Sequence, residues 1–118
     1  MKLEVIEKDH FYHIYNRGIN SELIFHSNEN KSYFLTLFNK HLHQNVATYA
    51  YCLMDNHYHF VLQITEEEKK VTQAFSNFFN AYAKAFNIQN SRTGSLFEKH
   101  FKRIKIEDEN FLRNIIQY

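Results

Sequence analysis

The stretch Met54-Asp55-Asn56-His57-Tyr58-His59-Phe60-Val61-Leu62-Gln63 decides how the rest of the 118-residue chain is read. Side chains along a β-strand alternate between faces, so His57 and His59 project from one side, with their backbones roughly 6.5–7 Å apart. Imidazoles at that separation can share one metal ion. Tyr58, Phe60, Leu62 and Ile64 take the other side and are bulky residues suited to packing against helices. The stretch therefore predicts a core on one face and histidines on the opposite one. Alternate histidines also occur on half-exposed strands that bind no metal, and imidazole suits several divalent ions, so the pair alone names no ion. Asp55 and Asn56 are turn formers, which predicts a tight connection between a strand over His57 to Ile64 and the strand before it.

Working outward, Val46 to Met54 reads as that preceding strand, with Tyr49, Tyr51 and Leu53 alternating against Thr48, Ala50 and Cys52. Nearer the start, the aromatic-rich Phe11-Tyr12-His13-Ile14-Tyr15 reads as a strand ended by Asn16-Arg17-Gly18. Ile19 to Phe25 reads as an irregular connection. Ser27 or Asn28 then caps a helix whose Tyr33, Phe34, Leu37, Phe38, His41 and Leu42 follow three-and-four spacing. On the far side, Glu66-Glu67-Glu68 suits the positive end of a helix dipole and opens a long amphipathic helix through Val71, Phe75, Phe78, Phe79, Tyr82 and Phe86. Such a Phe stripe reads as core. Asn87 to Gly94 breaks this helix, and a fourth strand falls within Leu96 to Ile106, in its later part from Phe101. Glu107-Asp108-Glu109-Asn110 begins a last helix with Phe111, Leu112, Ile115 and Ile116 apolar and Tyr118 at its end.

The order strand, helix, strand, strand, helix, strand, helix predicts an α+β, ferredoxin-like (βαββαβ) antiparallel sheet plus a C-terminal helix. Right-handed crossovers in that split arrangement put both strand-joining helices on one face of the sheet. The other face stays open, and the alternation in the third strand puts His57 and His59 on it.

Composition narrows the class. The length predicts one domain over 1–118, and 12 Phe and 8 Tyr with no Pro or Trp and only 2 Gly exclude a disordered or collagen-like chain. The lone Cys52 cannot form an internal disulfide; set between Tyr51 and Leu53 it reads as a buried strand thiol, which fits a reducing cytoplasm. Met1 to Lys8 interleaves charge with apolar residues and predicts no secretory signal, and no stretch is long enough to span a membrane. A net charge of +1 argues for no partner. Its distribution says more. Lys84, Arg92, Lys99, Lys102, Arg103 and Lys105 are opposed over their span only by Glu98 and interleave with Phe97, His100 and Phe101. That pattern suits a surface that tracks phosphates and stacks bases, and equally an ordinary solvated face.

Four blocks carry a resemblance: Tyr12-His13-Ile14-Tyr15-Asn16-Arg17-Gly18 with Ile24-Phe25; Tyr51 through Leu62; Arg92-Thr93-Gly94-Ser95-Leu96-Phe97-Glu98 with Phe101-Lys102; and Phe111 through Tyr118. Together, covering nearly the whole chain, they resemble the single-tyrosine transposases of small insertion sequences, and within them the REP-associated tyrosine transposases. The resemblance implies a strand-transfer enzyme of the HUH class acting on single-stranded DNA folded into hairpins. It implies that His57 and His59 hold Mg²⁺ or Mn²⁺, and that Tyr118 is the nucleophile that forms a 5′-phosphotyrosine linkage; Tyr82, in the Phe stripe, is the second candidate nucleophile. Arg17, Arg92, Lys99, Lys102 and Arg103 are by position the expected phosphate contacts, with His13 lining the open face.

Two departures follow from the same resemblance. Asp55 stands where the family commonly has proline, which alters the turn and adds a carboxylate near the metal. In relatives the last helix continues past the tyrosine and a side chain about one turn later completes the metal shell, so the domain is expected to be cut short at Tyr118. Family members act as homodimers with exchanged tyrosines or as monomers. Two other readings stand beside the enzyme: a catalytically inactive single-stranded DNA-binding module on the same fold, and a plain metal-binding domain.

Overall fold

In the computed structural model the described residues are 4–107. They form β1 (Phe11–Arg17), a short 3₁₀ turn (Ile19–Ser21), α1 (Asn28–Leu42), β2 (Val46–Met54), β3 (His57–Ile64), α2 (Glu68–Gln89) and β4 (Lys102–Ile106). The strands make one sheet in the order β2-β3-β1-β4, antiparallel throughout. This is the expected ferredoxin-like order. The last helix and Tyr118 lie outside the described residues.

Each helix forms where its sequence predicts. Ser27 caps α1 by accepting the Asn30 backbone N–H at 3.1 Å, which satisfies one of the donors a helix start leaves free. Phe34, Leu37, Phe38 and Leu42 then fall on the buried stripe. The start of α2 has no side-chain cap and relies on Glu68 in its first turn; Val71, Phe75, Phe78, Tyr82 and Phe86 give it a buried stripe about four turns long at three-and-four spacing. Asn87 does not end this helix, which runs on to Gln89, and β4 begins only at Lys102.

Both stripes pack on the same face of the sheet, against Tyr12, Ile14, Tyr58, Phe60, Leu62 and Ile64. Phe34 is the hub: its ring lies 4.8–6.2 Å from those of Phe25, Tyr58, Phe60, Phe78 and Tyr82. Rings at these spacings add edge-to-face and offset contacts to the burial of large apolar area.

β2 departs from the reading of its alternation. It is an edge strand with a register shift between Thr48 and Ala50, and Cys52 pairs opposite His59 on the face away from the helices. The thiol is consequently exposed, not buried. No helix among the described residues is long and apolar enough to cross a membrane.

Candidate active site

β1 and β3 lie side by side at the centre of the sheet, and their register builds the site. Tyr15 stands opposite His59 and Arg17 opposite His57, while Lys102 of β4 stands opposite Tyr15 from the other side. Because the intervening Ile14, Asn16 and Tyr58 point into the protein, this set shares the open face. It borders a cleft of about 440 Å³ whose walls include His57, His59, Arg17, Lys102 and Glu98.

The turn that introduces His57 is clamped by backbone bonds. Gly18 N–H donates to the Asn56 carbonyl at 3.0 Å, and the N–H groups of Ile24 and Phe25 donate to the Asp55 carbonyl at 2.9 and 3.0 Å. Gly18 is needed at this position because the turn that follows brings the Glu22 carbonyl to where a Cβ would lie. Asn56 then turns its side-chain oxygen onto His57 Nδ1 at 2.8 Å. An amide oxygen only accepts, which assigns the imidazole proton to Nδ1 and leaves a lone pair on Nε2.

His59 is held from the neighbouring strand. Its Nδ1 lies 2.8 Å from His13 Nε2, and the Tyr15 ring stacks on it at 5.6 Å between centroids. Burial lowers the pKa of His13, and burial, then the proximity of His13 and His57, lowers that of His59. Both rings are thereby kept neutral near pH 7, the form that ligates metal. The rings of His57 and His59 stand 5.1 Å apart and nearly perpendicular, and neither Nε2 has a hydrogen-bond partner among the described residues.

This donor set fits a divalent ion in part. The imidazoles of His57 and His59 supply two positions, and among the described residues no cluster of three or more His, Cys, Asp or Glu is placed to hold a metal. The rest of an octahedral shell is left to oxygen from water or phosphate, which suits Mn²⁺ and Mg²⁺.

No protein-family model matches the chain, and no curated protein matches its sequence. Solved structures do. A REP-associated tyrosine transposase bound to a REP hairpin superposes with a TM-score of 0.68 at 12% identity, over 100% of this chain and 68% of that one. A candidate transposase from Deinococcus radiodurans R1 superposes with a TM-score of 0.60 at 15% identity, over 100% of this chain and 95% of that one. The fold is tyrosine-transposase-like.

On this transposase-like fold the expected phosphate contacts separate into two groups. Arg17 and Lys102 border the cleft with the histidines, and His13 touches His59. Arg92 is committed elsewhere: it pairs with Glu22 at 2.9 Å and bonds Asn87 and the Ser95 carbonyl, bracing the loop after α2. Arg103 faces the helices, opposite the buried Ile14, with its guanidinium 4.0 Å from the Phe101 ring centroid. Lys99 is exposed and lies outside the cleft. Asp55 brings no carboxylate to the histidine pair, because it pairs with Lys31 of α1 at 3.2 Å.

Sequence reasoning missed three contributors. Asn56 orients His57, and Asn16, only 4% exposed, donates to the Glu98 carbonyl at 2.9 Å and accepts from Lys102 at 3.0 Å. Glu98 binds Arg17 Nε at 2.7 Å through one oxygen and Lys102 Nζ at 2.6 Å through the other. These bonds, Lys102 first, hold its carboxyl below the usual carboxylate range. Asn16, Asn56 and Glu98 all stand inside the blocks quoted above, yet only tertiary contact reveals what each one touches.

Proposed function

We propose that the chain is a single-stranded DNA nicking and strand-transfer enzyme of the HUH class that acts on hairpin-containing DNA. The observation that carries the proposal is the His57–His59 pair, each with a bare Nε2, beside Arg17 and Lys102 on a transposase-like fold. Asn56 and His13 fix the two imidazoles from behind, as outer partners do for metal-ligating histidines. Mg²⁺ or Mn²⁺ held by His57 and His59 would supply Lewis-acid polarisation of the scissile phosphate. Arg17 and Lys102 bind phosphate oxygens and orient the strand.

Tyr118 is the nucleophile in this proposal, a role assigned by the resemblance of the last block. Its phenol loses its proton and attacks phosphorus. The P–O3′ bond breaks, a free 3′-hydroxyl departs, and the 5′ end stays attached as a phosphotyrosine. A phenol of pKa about 10 leaves more easily than an alkyl hydroxyl, so a later 3′-hydroxyl can rejoin the strand without ATP. The inner tyrosines are poor alternatives. Tyr12, Tyr58 and Tyr82 are buried, burial raises the pKa of each phenol, and the Tyr82 hydroxyl is spent on the Ile24 carbonyl at 2.5 Å.

The test is incubation with end-labelled hairpin DNA and Mn²⁺ or Mg²⁺ followed by a denaturing gel. A protein-linked DNA band that needs metal and disappears in both Tyr118→Phe and His57→Ala is the expected result. DNA binding without any such band would sink the nicking assignment in favour of a DNA-binding module on the same fold.

A further inference from the structure

We propose that Arg17 and Lys102 form a seat for one phosphodiester of the bound strand, and that Glu98 is an internal stand-in which fills that seat until nucleic acid displaces it. The inference rests on the DNA-binding part of the function proposed above and adds a device that sets affinity.

The geometry of the seat is two-pronged. Arg17 Nε addresses one carboxylate oxygen and Lys102 Nζ the other, at 2.7 and 2.6 Å. A phosphodiester offers the same pattern, one negative charge over two non-bridging oxygens, and charge-assisted bonds from Arg and Lys suit either anion. The seat lies beside the histidines by construction, since Arg17 stands opposite His57 and Lys102 opposite Tyr15. A strand threaded past the histidines therefore passes over it.

A purely structural ion pair would be needed to hold its chain segment, and here it is not. The Glu98 backbone is already fixed, its N–H donating to the Arg17 carbonyl at 3.0 Å and its carbonyl accepting from Asn16. Lys102 keeps a second acceptor in the Asn16 side-chain oxygen. Lys102 and the loop thus stay in place when the carboxylate swings out, and the Arg17 guanidinium, whose side-chain partner is Glu98, is released toward the cleft. The side chains of Arg17, Lys102 and Glu98 are 59%, 40% and 27% exposed, so the carboxylate sits within reach of solvent and of a competing anion. Exposed pairs of this sort are weak and readily exchanged. Arg92 contrasts with them, being only 20% exposed and tied to main-chain and side-chain oxygens away from the cleft.

The consequence is a built-in cost of binding. Glu98 cancels one of the two positive charges, so wild-type protein gains less from counterion release than its cations allow. Removing the charge while keeping the shape frees the seat.

The experiment is fluorescence anisotropy of a labelled oligothymidylate in EDTA, over a series of salt concentrations, with wild type, Glu98→Gln, and Glu98→Gln combined with Arg17→Gln. Glu98→Gln is expected to bind about two- to fivefold tighter than wild type, the worth of an exposed ion pair. Its plot of log affinity against log salt should steepen by about 0.7, the increment for one more phosphate on a single strand. The added Arg17→Gln should cancel the gain. Equal or weaker binding by Glu98→Gln, including no binding by either protein, overturns the inference. A second readout avoids mutation: on titrating ¹⁵N-labelled wild type with the same DNA, the Arg17 Nε–H resonance should move, and a resonance that stays put at saturation overturns it as well. Metal-free binding keeps this test apart from the nicking assay. Tighter binding by Glu98→Gln without a covalent band would remove the enzyme and leave the seat, whereas a covalent band without tighter binding would do the reverse.

Discussion

On one face of β3, Tyr58, Phe60, Leu62 and Ile64 are each at most 1% exposed and are covered by α1 and α2. On the other, beside the buried Val61, His57, His59 and Gln63 are half-buried, and each makes one side-chain hydrogen bond, to Asn56, His13 and the Asp9 carbonyl respectively. The first face is positioned by many redundant contacts, the second by single polar partners and, at His59, the stacked Tyr15 ring. Stability belongs to the first and orientation to the second. Substitutions on the two faces should therefore fail in different ways.

The largest expected effect lies on the packed face. Phe34→Ala removes the ring that touches Phe25, Tyr58, Phe60, Phe78 and Tyr82, and should cost about 3–5 kcal/mol in urea unfolding. His59→Ala, on the open face of the same sheet, should cost within about 1 kcal/mol in metal-free protein. Comparable losses from the two variants would break the division between the faces.

Asn56→Ala should separate orientation from stability. Loss of the Asn56 oxygen frees the His57 ring to turn and its proton to move to Nε2. Mn²⁺ affinity, followed by calorimetry, should fall about 10- to 100-fold, the usual cost of losing an outer partner of a ligating histidine. The unfolding midpoint should move little, because the Asn56 main chain keeps its bond from Gly18. A fall in stability with metal affinity intact would show that the turn, and not the imidazole, depends on this side chain.

What sequence could and could not reveal follows the same division. The limits of β2 and β3 and a cap at Ser27 or Asn28 were legible, because period-two alternation and capping chemistry are local, and the bond to Asn30 N–H settles on Ser27. The His57–His59 face was legible for the same reason. The roles of the cations were not. Lys102 and Arg103 are neighbours in a basic run, but alternation sends Lys102 to the cleft opposite Tyr15 and Arg103 to the helix side opposite Ile14; register, which charge patterning does not carry, decides between them. Glu98 reads as a lone acid amid basic residues, and its partner Arg17 is 81 positions away. Cys52 was misplaced because alternation says which residues share a face but not which face of an edge strand is covered.

The smallest expected effect tests the open face without mutation. In metal-free protein the pKa values of His13 and His59 lie below the ordinary histidine value of 6.5, first because both rings are half-buried and, for His59, because two other imidazoles stand near. Once unfolded, both return to that value and bind protons more readily. Stability is therefore fully present above about pH 6.5 and declines as pH falls toward the folded values, since the unfolded state then takes up more protons. Urea midpoints measured from pH 8 to about pH 5, above the range where carboxylates titrate, should be level at first and then drop. His13→Gln should flatten the drop on two counts, removing one depressed group and relieving His59 of a charged neighbour. A wild-type midpoint that stays level through this window would mean that the two rings are as well solvated in the folded chain as in the unfolded one, and the open face would then lack the partial burial that keeps its imidazoles neutral.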